Sequence, residues 1–104
     1  MGDSIKIRAS EKGGVCTVKA LIKHKMETGL RKDKKTGQTI PAHFIQEVVC
    51  EHNGKVVLNA TWGTAISENP YLSFEFSGAK KGDTIKLSWK DNKNESDSAE
   101  DKIK

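Results

Sequence analysis

The sequence has no apolar run approaching the roughly 20 residues that a membrane-spanning helix needs, and 31% of its residues are charged. It opens Met-Gly-Asp-Ser-Ile-Lys-Ile-Arg, with no basic segment leading into an apolar stretch, so no signal peptide is read; taken alone, that points to the cytoplasm. Cysteine is scarce. Cys16 and Cys50 stand far apart, without Cys-x-x-Cys spacing or paired histidines nearby, which excludes a zinc ribbon and a disulfide-dense scaffold. Glycine builds no phosphate-cradling loop, since neither Gly13-Gly14 nor the Gly78 to Gly82 turn joins a strand to a helix. A long helical period is also missing.

What is present is period-two apolar patterning, cut into short segments by Gly and Asn, in a chain whose 104 residues suit one domain. Ile5, Ile7 and Ala9 alternate with Lys6 and Arg8, and Cys16, Val18, Ala20 and Ile22 alternate with Thr17, Lys19 and Lys23. Further strands are predicted at about Phe44 to Glu51, Lys55 to Trp62, Tyr71 to Ser77 and Thr84 to Lys90, the last with Ile85, Leu87 and Trp89 inward. Short strands with turns at this spacing predict an all-β sandwich or barrel. Residues 1–92 are assigned to this domain and the polar segment 93–104 to a mobile C-terminal tail. The stretch from His24 to Ala42 is long for a connection in so small a domain, which favours an ordered surface feature with a functional role.

Asn53-Gly54 between two apolar runs is a strong hairpin signal, and a two-residue turn there pairs His52 with Lys55. Continued without a bulge, that register puts Ile45, Glu47 and Val49 inward and turns Val48, Cys50 and Val57 outward. A partly apolar outward patch of this kind is a surface that a monomer would cover, so these three residues are the predicted partner-binding surface. Through it the isolated chain is also expected to self-associate. The same register argues against a Cys16–Cys50 disulfide and leaves Cys50 open to pairing with another chain in an oxidising compartment.

The tightest basic cluster, Arg31, Lys32, Lys34 and Lys35, runs into Thr36-Gly37 and reads as a turn between strands. The net charge of +4 is therefore read as a solvated face, and nucleic-acid binding is not expected. His24 and His43 bracket the long stretch and can meet Met26 to form a soft-metal or sulfur-contacting site. Two isolated histidines without a nearby ligand cysteine are more often structural, so no metal or other cofactor is assigned. His52 is read as a solvated strand-end residue. Neither cysteine has the base and oxyanion donors of a nucleophile, so the chain is read as a binding module and not an enzyme. The alternative is an independent thiol-redox or metal-binding protein using Cys50 or His24, Met26 and His43.

The run from Lys19 through His24, Met26, Glu27, Gly29 and Arg31 to Asp33, the segment Ile40-Pro41-Ala42-His43-Phe44-Ile45-Gln46 and the segment Asn69-Pro70-Tyr71-Leu72-Ser73-Phe74 closely resemble the SoxZ family. So do His52 to Lys55, Trp62-Gly63 and the Gly78 to Asp83 turn, in the same order along nearly the whole chain. The resemblance implies an immunoglobulin- or fibronectin-like antiparallel β-sandwich, the small subunit of a sulfur-carrier complex in bacterial thiosulfate oxidation. It implies a SoxY-like partner that holds sulfur intermediates on a cysteine near its own C-terminus and carries the pair to the periplasm on its export signal. Other Sox enzymes would dock transiently, with His24, Met26, Arg31, Lys32, Lys35 and His43 forming the expected docking loop and its basic residues steering acidic partners.

Overall fold

Strand alternation is realised through the chain as an all-β sandwich of the expected immunoglobulin/fibronectin-like kind. The structure, a computed structural model, describes residues 4–64, 66 and 68–104. The strands are β1 (Ile5–Lys12), β2 (Val15–Ile22), β3 (Ile45–His52), β4 (Lys55–Thr61), β5 (Tyr71–Ser77), β6 (Thr84–Asp91) and β7 (Ser96–Lys102). Two antiparallel sheets, β1-β2-β5 and β4-β3-β6-β7, face each other across the core. Among the described residues no helix is long and apolar enough to cross a membrane.

The inner faces meet through Ile5 and Ala9 of β1, Cys16, Val18, Ala20 and Ile22 of β2, Ile45, Val48 and Cys50 of β3, and Ile85, Leu87 and Trp89 of β6. Each buried aliphatic side chain contributes about 1.5–3 kcal/mol of transfer free energy, offset by the entropy of ordering the chain. One side of the sandwich is closed by β1 packing against β7. The opposite side, where β4 and β5 lie, is not. No residue of β4 or β5 is fully buried, although Leu58, Ala60, Leu72, Phe74 and Phe76 pack partly against the core.

The hairpin turn falls where it was predicted, with His52 opposite Lys55 and both Asn53 (φ 50°) and Gly54 (φ 84°) in the left-handed region that such a turn requires. Two residues further on, Val57 is an extra residue on β4. Glu51 pairs with Val56 but Cys50 pairs with Leu58. That bulge inverts the predicted faces, and Val48 and Cys50 are fully buried core residues instead of a partner-binding surface. A second irregularity, against β6 between Ile45 and Glu47, brings Ile45 and Val48 inward together and leaves Gln46 and Glu47 exposed. Val57 is half-buried against the core edge.

The polar C-terminal segment is also corrected, since residues 96–102 form β7, paired with β6 from Lys90–Ser96 to Thr84–Lys102. Ile103 beyond it is buried, its N–H donating to the Asp83 carbonyl (2.8 Å). Lys104 N–H donates to Ala9 O (3.0 Å) and Lys104 O accepts from Glu11 N–H (2.8 Å), fastening the end of the chain to β1. Polar composition did not prevent pairing, because β7 lies on an edge where half its side chains face water.

Candidate functional site

The long stretch after β2 is an ordered two-stranded arm. Its base is the Glu27–His43 bridge, with N–H to O distances of 2.6 and 3.0 Å, and Arg31 O accepts from Ile40 N–H (2.7 Å) further out. Gly29 (φ 84°) lets the two sides approach, since a Cβ there would sit 3.2 Å from the Ala42 Cβ. Most side chains beyond the base are exposed, Leu30 at 86%.

The inward alternation of β2 continues past its end into this base, through buried His24 and Met26. Asp91 extends the inward row of β6 in the same way and is 1% exposed. Its Oδ2 accepts from His24 Nε2 at 3.0 Å and from His43 Nε2 at 2.7 Å, while its Oδ1 accepts the backbone N–H groups of Lys93 and Glu95, each at 2.9 Å. Burial penalises this carboxylate, but the hydrogen bonds from His24, the Glu95 amide, His43 and the Lys93 amide together hold it below the ordinary aspartate value. His24 Nδ1 accepts the Met26 N–H (3.1 Å), so the His24 proton lies on Nε2, facing Asp91. The His24 ring meets His43 edge-on at 4.6 Å and Trp89 at 5.1 Å.

Met26 adopts φ 50°, and its sulfur accepts the buried Ile45 N–H at 3.3 Å. Asn92 donates to the Ala42 carbonyl (2.8 Å) and accepts from Phe44 N–H (2.9 Å). Asn92, in the β6–β7 turn, thus grips the returning side of the arm base, while Asp91 at the end of β6 holds both sides. Beside it lies a groove of about 440 Å³ bordered by Lys25, His43, Glu68, Asn69, Trp89 and Glu95.

His24, His43 and Asp91 present ligand-type atoms within 4.8 Å of one another, a cluster with metal-binding composition. Its protons are already committed, because both histidines donate from Nε2 to one carboxylate oxygen. A cation would have to displace those protons and, at His24, leave the Met26 N–H facing a ring nitrogen that must itself be protonated for ordinary coordination. What the arrangement does chemically is share protons and lock the arm to β6.

The expected docking loop is therefore divided by the structure. His24, Met26 and His43 come together at the arm base, while Arg31, Lys32 and Lys35 lie exposed further out. Arg31 is engaged by Glu27 through Nε (3.1 Å) and Nη2, which holds the Glu27 carboxyl below its ordinary value. His52 is not merely solvated, for its Nε2 lies 2.7 Å from Asp83 Oδ2. Asp91 is the site residue that sequence reasoning missed; extending the Ile85, Leu87, Trp89 alternation by one step would have found it.

Both thiols are free and fully buried, one from each sheet. The expected outward Cys50, and the register argument against its meeting Cys16, are both overturned by the Val57 bulge. Burial, with smaller contributions from Cys16 and Glu51, pushes the Cys50 thiol up to about 12, and burial likewise raises Cys16.

Residues 5–102 match the family described as sulphur oxidation protein SoxZ. The chain belongs to the SoxZ family. Membership makes it a component of sulfur oxidation and covers both sheets and the arm, β7 included. No curated protein matches the chain.

Proposed function

We propose that this SoxZ-family chain is the non-catalytic scaffold subunit of a sulfur-carrier complex, binding a SoxY-like partner whose own cysteine carries the sulfur. The observation that supports it is the state of the two thiols. A carrier must present a reachable thiolate, whereas Cys16 and Cys50 are both 0% exposed and Cys50 is pushed up to about 12. A sulfur-oxidation component with sealed thiols needs its carrier thiol on another chain. The same reading has the complex working in the periplasm, exported on the partner's signal, and gives the arm bearing Lys32 and Lys35 to docking the enzymes of the system.

The partner covers the open side of the sandwich in this reading. β4 and β5 are paired along one edge only, and they present Val56 (51% exposed) beside half-buried Leu58, Phe74 and Phe76. Edge strands this poor in charge, with Lys55 on β4 and Glu75 on β5, are left unprotected unless something covers them.

Co-expression with a SoxY-like chain should give a stable heterodimer in which iodoacetamide labels the partner's cysteine and spares Cys16 and Cys50. Rapid labelling of Cys50 in the folded complex would reject the scaffold reading. Val56→Glu, at an exposed position, should dissociate the pair; an intact complex would move the interface away from this side.

A further inference from the structure

The outer face of the β1-β2-β5 sheet carries a cationic strip that the scaffold reading does not use. Arg8 of β1 lies directly across from Lys19 of β2, and the next outward row is Lys6, Leu21 and Tyr71. Lys6, Arg8 and Lys19 are exposed, and none of them forms an ion pair among the described residues. Together with Leu21 and Tyr71 they border a groove of about 520 Å³. Glu75, the nearest carboxylate of β5, stands one row beyond Ser73 and is hydrogen-bonded to Thr17 (3.1 Å); Asp101 and Lys104 border the far end beyond Arg8.

Two costs coincide here. Like charges directly opposite on neighbouring strands repel, and Leu21 (43%) and Tyr71 (62%) keep apolar surface in water beside them. A carboxylate at Arg8 or Lys19 would remove the first cost without touching the core. On the arm, by contrast, Arg31 is already neutralised by Glu27 and Asp33 lies among the lysines.

We propose that this face is a docking surface for an acidic protein partner, whose carboxylates meet Lys6, Arg8 and Lys19 while an apolar side chain packs on Leu21 and Tyr71. A tyrosine and an arginine bordering one groove have the composition of an interface anchor. A single aromatic offers no succession of stacking platforms for nucleic acid bases. The face adjoins the open β4/β5 side through Tyr71 of β5, but its cations lie on β1 and β2 and its test uses the chain without a SoxY-like partner, so the outcome does not depend on how that partner binds.

The test is an NMR titration of the isotope-labelled full chain with two probes: an end-blocked peptide of glutamates around a single leucine, and single-stranded DNA of matched charge. The peptide should perturb the amides of Lys6, Arg8, Lys19, Leu21 and Tyr71 and weaken with salt. Lys6→Glu/Arg8→Glu should lower its affinity at least about tenfold, as expected for loss of close charge pairs. That variant replaces the Arg8 guanidinium by a carboxylate directly opposite Lys19, so it should also melt at a higher temperature, which separates lost binding from lost folding. Lys32→Ala/Lys35→Ala should change affinity less than about twofold. No peptide binding, perturbations centred on the arm, or an unaffected Lys6→Glu/Arg8→Glu variant would each overturn the proposal. DNA binding tighter than peptide would give the face to nucleic acid and overturn it too.

Discussion

At Asp91 one buried carboxylate accepts from two histidine rings and two backbone amides. The residue therefore acts through its acceptor count. Asp91→Asn keeps the size but turns an amide N–H₂ or an already occupied carbonyl toward the two Nε2–H groups. Leaving such buried donors unpaired should cost about 3 kcal/mol, read as a lower denaturation midpoint, with loosened amide protection at Met26 and Phe44. A loss below about 0.5 kcal/mol would mean that water replaces the carboxylate. Met26 belongs to the same lock, since its left-handed backbone is held by the His24 and Ile45 contacts around it.

At the scale of elements, the decisive features are the two irregularities in the pairing of β3 with its neighbours and the terminal strand. Asn53-Gly54 made the hairpin turn legible, and alternation alone the first two strands and the inward row of β6, because each of those rows obeys one uninterrupted period. It did not reveal the Val57 bulge. A single unpaired residue reverses every face beyond it, and the Val56-Val57-Leu58 run looks the same with or without one. β7 was illegible for a different reason: its ladder is backbone hydrogen bonding to β6, which a polar sequence supports once the neighbouring strand is in place. The anchor of that element is Ile103, 2% exposed. Ile103→Ala should cost about 2–5 kcal/mol, the range for truncating a buried isoleucine, and raise hydrogen exchange across residues 96–102 before the rest of the sandwich. Uniform exchange throughout would show that β7 opens only with global unfolding.

At the scale of the whole molecule, three carboxyls among the described residues are held below their ordinary values: Asp91 for the reasons given, Asp83 through its hydrogen bond from His52 and the Lys80 amide, and Glu27 through its hydrogen bond with Arg31. A carboxyl depressed in the folded state stabilises fully above its unfolded value, roughly 4, and loses that contribution as pH falls through the folded value. Denaturant midpoints should therefore show no loss from these groups between pH 7 and about pH 5, then fall steadily toward pH 3. In Asp91→Asn the acid-dependent fall should be smaller, because Asp83 and Glu27 are solvent-screened pairs. An unchanged acid slope in that variant would assign the sensitivity to them instead.

The sequence by itself determined the all-β class, the strand count up to β6, most of the core and, through linked motifs along the chain, membership of a sulfur-oxidation family. These follow from local periodicity and from residues that stand in a recognisable order. Only the tertiary structure decided which way Val48 and Cys50 point, that residues 96–102 complete the second sheet, and that Asp91 gathers His24 and His43. Each of these depends on contacts between segments distant in the chain: a bulge and an edge pairing leave no local trace, and the alternation that turns Asp91 inward does not say which residues share its carboxylate. Cys50 shows the difference most plainly: a register carried from the turn puts it in solvent, and one extra residue on the neighbouring strand seals it in the core.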